Sequence, residues 1–242
     1  MTVRLIAHRG FAAEYPENTL AAARAAARVA DAIEVDVRRC GSGELVAFHD
    51  ERLTRLTGVR KPLASTAYDD LRELSVLDSA EPVPRLGELF EALSPEVEVI
   101  PELKERGLLA DVVALADRHG HDPLVSAADP AALSETRAVE GEVRRALVVP
   151  GSLPVQLLEP VVPGYPNWLY AREDVRRSVR LADRLGCEAI HPRLGLPLAT
   201  DLVERAQGAG LSVEAWTATT EREFRRLRAA GVDGVIADRP FG

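Results

Sequence analysis

Short apolar runs alternate with longer amphipathic stretches along the whole chain. The short runs predict strands at Arg4–His8, Ala32–Val37, Glu96–Leu103, Leu124–Ala127, Arg144–Val149, Ala189–His191, Ser212–Thr217 and Gly234–Ala237. Several are almost wholly apolar, as strands covered on both faces must be. The amphipathic stretches predict helices over Leu20–Ala30, Leu86–Leu93, Leu108–His119, Pro130–Val139, Val175–Leu185, Ala199–Ala209 and Thr220–Ala230. Strands that alternate with helices are expected to pair in parallel.

Boundary residues support this order. Asn18 or Thr19 can cap the first helix, with Pro16 just before it. Gly186 in RLGCEAI and Gly231 in AAGVDGVI each end a helix and lead into a strand. Eight such strands predict an α/β chain folded as a (β/α)8 TIM barrel, a single domain over residues 1–242. A doubly wound open sheet is the alternative, but no G-x-G-x-x-G follows a strand. Two stretches break the cycle. Residues from about 41 to 83 form a small insertion after the second strand, opening with a hairpin turn at Gly41-Ser42-Gly43. Leu153–Tyr170 is rich in Pro and aromatic residues, and a loop of that length often covers an active site. The sequence stops at Gly242 with no final helix, which predicts an exposed apolar groove open to a partner or a second copy of the chain. An N-terminus that runs straight into a strand, with no apolar span, predicts a cytoplasmic protein without stable membrane insertion.

Composition narrows the field. Hydrophobic residues make up 46% and charged residues 28% of 242 positions, the balance of an ordinary globular domain. The net charge of -8, with no basic run, argues against a nucleic-acid partner. Lys61 and Lys104 are the only lysines among 30 basic residues, a compositional bias. Cys40 and Cys187 are too few for a disulfide framework and lack metal-ligand neighbours, so both are expected to be reduced and structural.

In a barrel of this kind reactive groups sit where strands end. Those positions hold His8 and Arg9, Glu34 and Asp36, His49 and Asp50, Glu102 and Lys104, His191, Trp216 and Asp238. Glu34 and Asp36 are two residues apart, so both carboxylates share one strand face. Burying two acids together costs several kcal/mol, roughly, unless positive charge offsets it. A divalent cation with Glu102 as third ligand would do so, and an all-oxygen set suits Mg²⁺, Ca²⁺ or Mn²⁺. Salt bridges to Arg9, Arg38 and Lys104 are the alternative. His8 and His49 each end an apolar run beside a charged residue, and paired imidazoles can exchange protons near neutrality. Asp50 can orient an imidazole. Arg9 and Lys104 add the positive charge that a phosphate needs. His119 and His121 fall at the opposite mouth and are given no role. His191 is equally a packing residue or a substrate contact.

These residues lie in blocks whose order resembles the glycerophosphodiester phosphodiesterases: AHRG (7–10), PENT (16–19), AIEVDV (32–37), FHD (48–50), VPRLGELFEAL (83–93), PELK (101–104), AWT (215–217) and GVDGVIADRP (231–240). The resemblance implies a metal-dependent barrel that hydrolyses glycerophosphodiesters, small-molecule substrates, to glycerol phosphate and an alcohol. It implies Glu34, Asp36 and Glu102 as metal ligands, His8 and His49 as the acid–base pair, Arg9 and Lys104 as phosphate contacts, and Trp216 as a wall of the substrate site. The insertion after the second strand matches the family's own. Two departures stand out. Thr219 replaces an Asn, and Pro101 replaces an aliphatic residue and predicts a local bulge beside Glu102. Lysophospholipase D-like activity within the same family, or a metal-dependent aldolase or lyase acting on a keto acid, would use a similar mouth.

Overall fold

The computed structural model describes residues 3–134, 142–150 and 168–241. Eight parallel strands close into a barrel: β1 (Arg4–His8), β2 (Ala32–Arg39), β4 (Glu98–Leu103), β5 (Val125–Ala127), β6 (Arg145–Val149), β7 (Ala189–Pro192), β8 (Ser212–Ala218) and β9 (Gly234–Ala237). Pairing of β1 with both β9 and β2 completes the ring. A short strand, β3 (Leu45–Ala47), lies antiparallel on β2 outside the ring. The eight predicted strands are therefore all present, within about two residues at each end.

The period-2 alternation of the strands sorts their side chains into two apolar layers. Ile6, Ile100, Leu124, Ala146, Ala189 and Ile236 fill the barrel interior. Neighbouring residues such as Ile33, Val35, Val99 and Val235 face outward and join the helices in the larger cluster. The insertion has a third cluster of its own, with Val46, Phe48, Leu53, Leu63, Leu71 and Val83 at its centre.

The helices follow the amphipathic pattern with shifted ends. The first runs Leu20–Ala26, and Thr19 caps it by accepting from Ala22 N–H. The helix predicted over Ala199–Ala209 is observed as Leu202–Gly208, and a separate short helix that was not predicted, Gly195–Ala199, precedes it. Trp168–Arg184 starts well before the predicted Val175. Pro130–Leu133 is helical, and the rest of that predicted helix lies largely outside the described residues, as does most of the predicted loop Leu153–Tyr170.

The bulge expected at Pro101 does not occur. The register from Ala32↔Glu98 to Val37↔Leu103 is unbroken. Pairing of β4 with β5 begins only at Glu102, so the proline stands beside backbone that is not yet in that ladder. The register shift lies instead in β8, between Ala215 and Ala218, next to Trp216. After β9 no helix forms among the described residues. Phe241 turns back onto the body, 9% exposed, with its ring 5.6 Å from that of Phe224, and takes up part of the flank where a groove was expected.

One glycine makes room inside the barrel. A Cβ at Gly234 would stand 3.0 Å from Glu214 Cγ and 3.2 Å from Ile6 Cδ1. Gly234→Ala is expected to cost about 1–3 kcal/mol by overpacking. That corresponds to a fall in Tm of roughly 2–4 °C per kcal/mol for a chain of this size. Thermal unfolding checks it, and an unchanged Tm would show that the interior has slack.

Candidate active site

At the C-terminal mouth, one cavity of about 110 Å³ is lined by His8, Arg9, Glu34, His49, Glu102, Lys104, Val148, His191, Trp216 and Ile236. The predicted site residues thus converge, although they come from strands spread along the whole chain.

The β1 end carries unusual backbone. Arg9, Gly10 and Phe11 all have positive φ, at 52°, 77° and 70°. A Cβ on Gly10 would stand 2.7 Å from Ala22 Cβ and 2.8 Å from Ala22 C, so only glycine lets this turn lie on the first helix. The turn aims Arg9 N–H at Glu34 Oε2, 3.0 Å away, and brings the guanidinium Nε to 3.0 Å from Asp36 Oδ2. Non-glycine residues at positive φ carry local strain, which is concentrated here at the site.

Glu34, Asp36 and Glu102 each offer an oxygen within 4.8 Å of the others. Glu34 and Asp36 are buried, at 2% and 0% exposure. Register explains the meeting: Asp36 in β2 is directly opposite Glu102 in β4. Lys104 Nζ stands 2.8 Å from Asp36 Oδ1 and 2.5 Å from Glu102 Oε1. Of the expected salt bridges, Arg9 and Lys104 form theirs. Arg38 instead donates to His49 C=O at 2.7 Å, which fixes the backbone of the catalytic candidate.

The two buried acids are pushed in opposite directions. Burial disfavours the charged form of Asp36, but Lys104 and Arg9 outweigh it and hold the carboxyl below the usual range. Burial, with the nearby charge of Asp36, pushes Glu34 up to about 7. Glu34 Oε1 has no hydrogen-bond partner in its buried position. Three hard oxygen donors, one of them unsatisfied, fit a divalent cation.

Each imidazole is backed by a carboxylate. His8 Nδ1 is 2.6 Å from Asp238 Oδ1, and His49 Nδ1 is 2.7 Å from Asp50 Oδ1. Burial opposes the charged form of His8, but the Asp238 contact and Glu34 more than compensate and raise its pKa. Asp50 is lowered to about 2, chiefly by its hydrogen bonds from Arg55. In both cases the ring nitrogen left for substrate is Nε2.

Supporting residues were not legible in advance. Asn18, read as a possible helix cap, instead grips Asp36. Its Nδ2 donates to Oδ2 at 2.8 Å, and its Oδ1 accepts from Asp36 N–H at 3.0 Å. Glu17 accepts from Arg9 at 2.9 Å and from Arg55 at 2.7 and 2.8 Å. The PENT block, whose Glu17 and Asn18 these are, was the available signal. Thr219 does not face the substrate cavity. Its N–H and hydroxyl both donate to Glu223 Oε2 at 2.9 Å. His121 Nε2 lies 3.0 Å from Phe90 C=O, in keeping with its position away from the site. Cys40 and Cys187 are free and buried, and burial pushes the Cys187 thiol up to about 11.

Buried acids, paired imidazoles and strand-end cations around one barrel cavity are the equipment of an enzyme, not of a passive binding module. The chain belongs to the glycerophosphoryl diester phosphodiesterase family, whose sequence profile matches residues 8–241. A glycerophosphodiester phosphodiesterase of Caldanaerobacter subterraneus subsp. tengcongensis is 25% identical over 99% of this chain and 96% of its own. A solved phosphodiesterase of Oleispira antarctica, in complex with the product sn-glycerol-3-phosphate, is 26% identical, with a TM-score of 0.77 over 98% of this chain and 93% of that one. A glycerophosphoryl diester phosphodiesterase structure from Agrobacterium tumefaciens shares the fold at a TM-score of 0.81 and 22% identity, over 99% and 95% of the two chains. Hydrolysis of glycerophosphodiesters is the activity that membership assigns, and it sets aside the aldolase reading. No helix among the described residues is long and apolar enough to cross a membrane.

Proposed function

We propose that this enzyme splits small glycerophosphodiesters by acid–base exchange between His8 and His49, beside a cation held by Glu34, Asp36 and Glu102. The observation that supports this best is the gathering of His8, His49, Glu34 and Glu102 around one cavity, with Asp36 in the same carboxylate cluster and a carboxylate behind each imidazole.

His49 Nε2 takes the proton of the substrate's 2-hydroxyl, whose oxygen attacks phosphorus. His8 Nε2 gives its proton to the departing alkoxide, a role suited to an imidazole whose pKa is raised. A cyclic phosphate results, and water opens it as the two rings exchange roles. Arg9 and Lys104 offset charge on the phosphoryl oxygens. Trp216 forms one wall, fixed by its indole N–H donating to His191 C=O at 2.7 Å. A bound divalent ion, Mg²⁺ or Ca²⁺ with Mn²⁺ as a further candidate, would supply Lewis-acid polarisation of a phosphoryl oxygen. A soluble diester is favoured over a lysophospholipid. Among the described residues the large exposed hydrophobics are Tyr15, Val29 and Leu77, far apart in the chain.

A panel of glycerophosphodiesters assayed with each metal tests the reading by release of glycerol phosphate. Failure of every diester with every metal would overturn it. Asp238→Asn probes the acid. Without the carboxylate at Nδ1, the His8 pKa falls, so its proton is lost at lower pH. The alkaline limb of the kcat profile is expected to move to lower pH, while an unmoved limb would assign the acid role elsewhere.

A further inference from the structure

His191 is buried, 1% exposed, yet it lines the catalytic cavity. Its Nε2 is 2.9 Å from Glu214 Oε2, and Glu214 is 0% exposed. Glu214 does not stop there. Its Oε1 accepts from Arg4 at 2.7 Å, Arg4 also pairs with Glu98, and Glu98 accepts from Arg144 at 2.8 Å. A chain of alternating charges therefore runs down the barrel interior from the catalytic mouth to the opposite end. Arg4 and His191 hold Glu214 ionised against its burial, which alone would favour the neutral acid. Gly234 leaves the space that Glu214 occupies.

An ionised Glu214 can only accept, so His191 must donate from Nε2–H. The ring's remaining polar atom is Nδ1, which in the neutral ring is an acceptor. The strand order places β7 four strands from β2 in either direction around the ring of eight, directly across the barrel from Glu34 and Asp36. A phosphodiester with its phosphorus beside β1, β2 and β4 reaches toward β7 with a part that is not phosphate. The cavity is small, about 110 Å³, so it suits the glycerol common to all such substrates better than a variable headgroup.

We infer that His191, oriented by Glu214, is a further substrate-binding residue that accepts a hydrogen bond from the terminal 1-hydroxyl of the glycerol moiety. Glu214 is the positioning residue behind it. The inference rests on the acid–base reading above and adds a basis for selecting glycerol over other alcohols.

The test compares glycerophosphocholine with its 1-deoxy analogue, which keeps the 2-hydroxyl that attacks phosphorus. The wild-type enzyme should prefer the intact substrate by at least ~10-fold in kcat/KM, because a buried acceptor is otherwise left unpaired. His191→Phe should raise KM for glycerophosphocholine by ~10-fold and leave the deoxy analogue unaffected. His191→Gln, which keeps an acceptor oxygen, should restore part of the preference, and Glu214→Gln should weaken it. Equal wild-type rates on the two substrates would overturn the inference, and this arm does not depend on any variant folding. A His191→Phe variant impaired equally on both substrates would do the same, since that is the result for a packing residue. Turnover of neither diester by wild-type enzyme would mark failure of the acid–base reading itself, and the inference would fall with it.

Discussion

His8→Ala and His49→Ala should each lower kcat by ~10²–10⁴, the usual scale for loss of a general acid or base. The two are not expected to be alike in detail. His8 sits at the end of β1 with its Nδ1 on Asp238, and in the proposed mechanism its loss removes the proton donor to the leaving alkoxide. A substrate with a more acidic leaving group needs that proton less. His8→Ala should therefore recover much of its rate on an aryl phosphodiester, while His49→Ala, which lacks the base, should not. Because the two residues act as a unit, the double variant should be little worse than either single one. The cavity walls need not move in either variant, so KM should change far less than kcat. Both variants turning over at the wild-type rate would rule out the imidazole pair.

Removal of divalent ions with EDTA should abolish activity, and Mg²⁺ or Ca²⁺ should restore it. A Lewis acid at a phosphoryl oxygen is worth several kcal/mol, which is roughly a thousandfold or more in rate. The cation also has a signature outside catalysis. Glu34 is pushed up from 4.5 to about 7 by burial and by Asp36. Between those values the metal-free folded chain holds a proton that the unfolded chain has released. This group therefore makes the metal-free fold less stable as pH rises from 4.5 toward 7. A cation needs the ionised form, so its binding strengthens with pH across the same window. The rise in Tm on adding Mg²⁺ or Ca²⁺ should be larger above pH 7 than below it, and Glu34→Gln should lose most of that rise. A pH-independent rise, retained in Glu34→Gln, would place the ion elsewhere.

The strands were legible because a strand covered on both faces must be apolar almost throughout, and AIEVDV or GVIA can hardly be anything else. The candidate metal ligands were legible for the complementary reason: Glu34, Asp36 and Glu102 are charges where the pattern asks for apolar side chains. Helix ends were less clear. The short helix Gly195–Ala199 was not foreseen, because it holds only five residues and includes Gly195 and Pro197, which read as turn formers. Pro101 misled because the rule against proline in strands concerns a missing N–H, and the structure places that residue where pairing with β5 has not begun. Glu17, Asn18 and Glu214 were missed because their partners are remote. Nothing near Glu214 in sequence points to Arg4, 210 residues away, or to His191, 23 residues away.

The insertion carries its own apolar cluster, and His49 stands on its near edge, directly after β3 and Phe48. One half of the proposed proton-exchange pair thus stands at the edge of an apolar cluster separate from the barrel interior, although β3 itself pairs with β2. Such a unit can open at a lower free energy than the whole. Heating should then silence the enzyme before the main cooperative melt, reversibly, with amide hydrogens of the 45–83 stretch exchanging ahead of those in β1, β2 and β9. Arg55 joins Glu17, in the turn after β1, to Asp50 on the insertion, and Arg55→Ala is expected to widen the gap between those two temperatures.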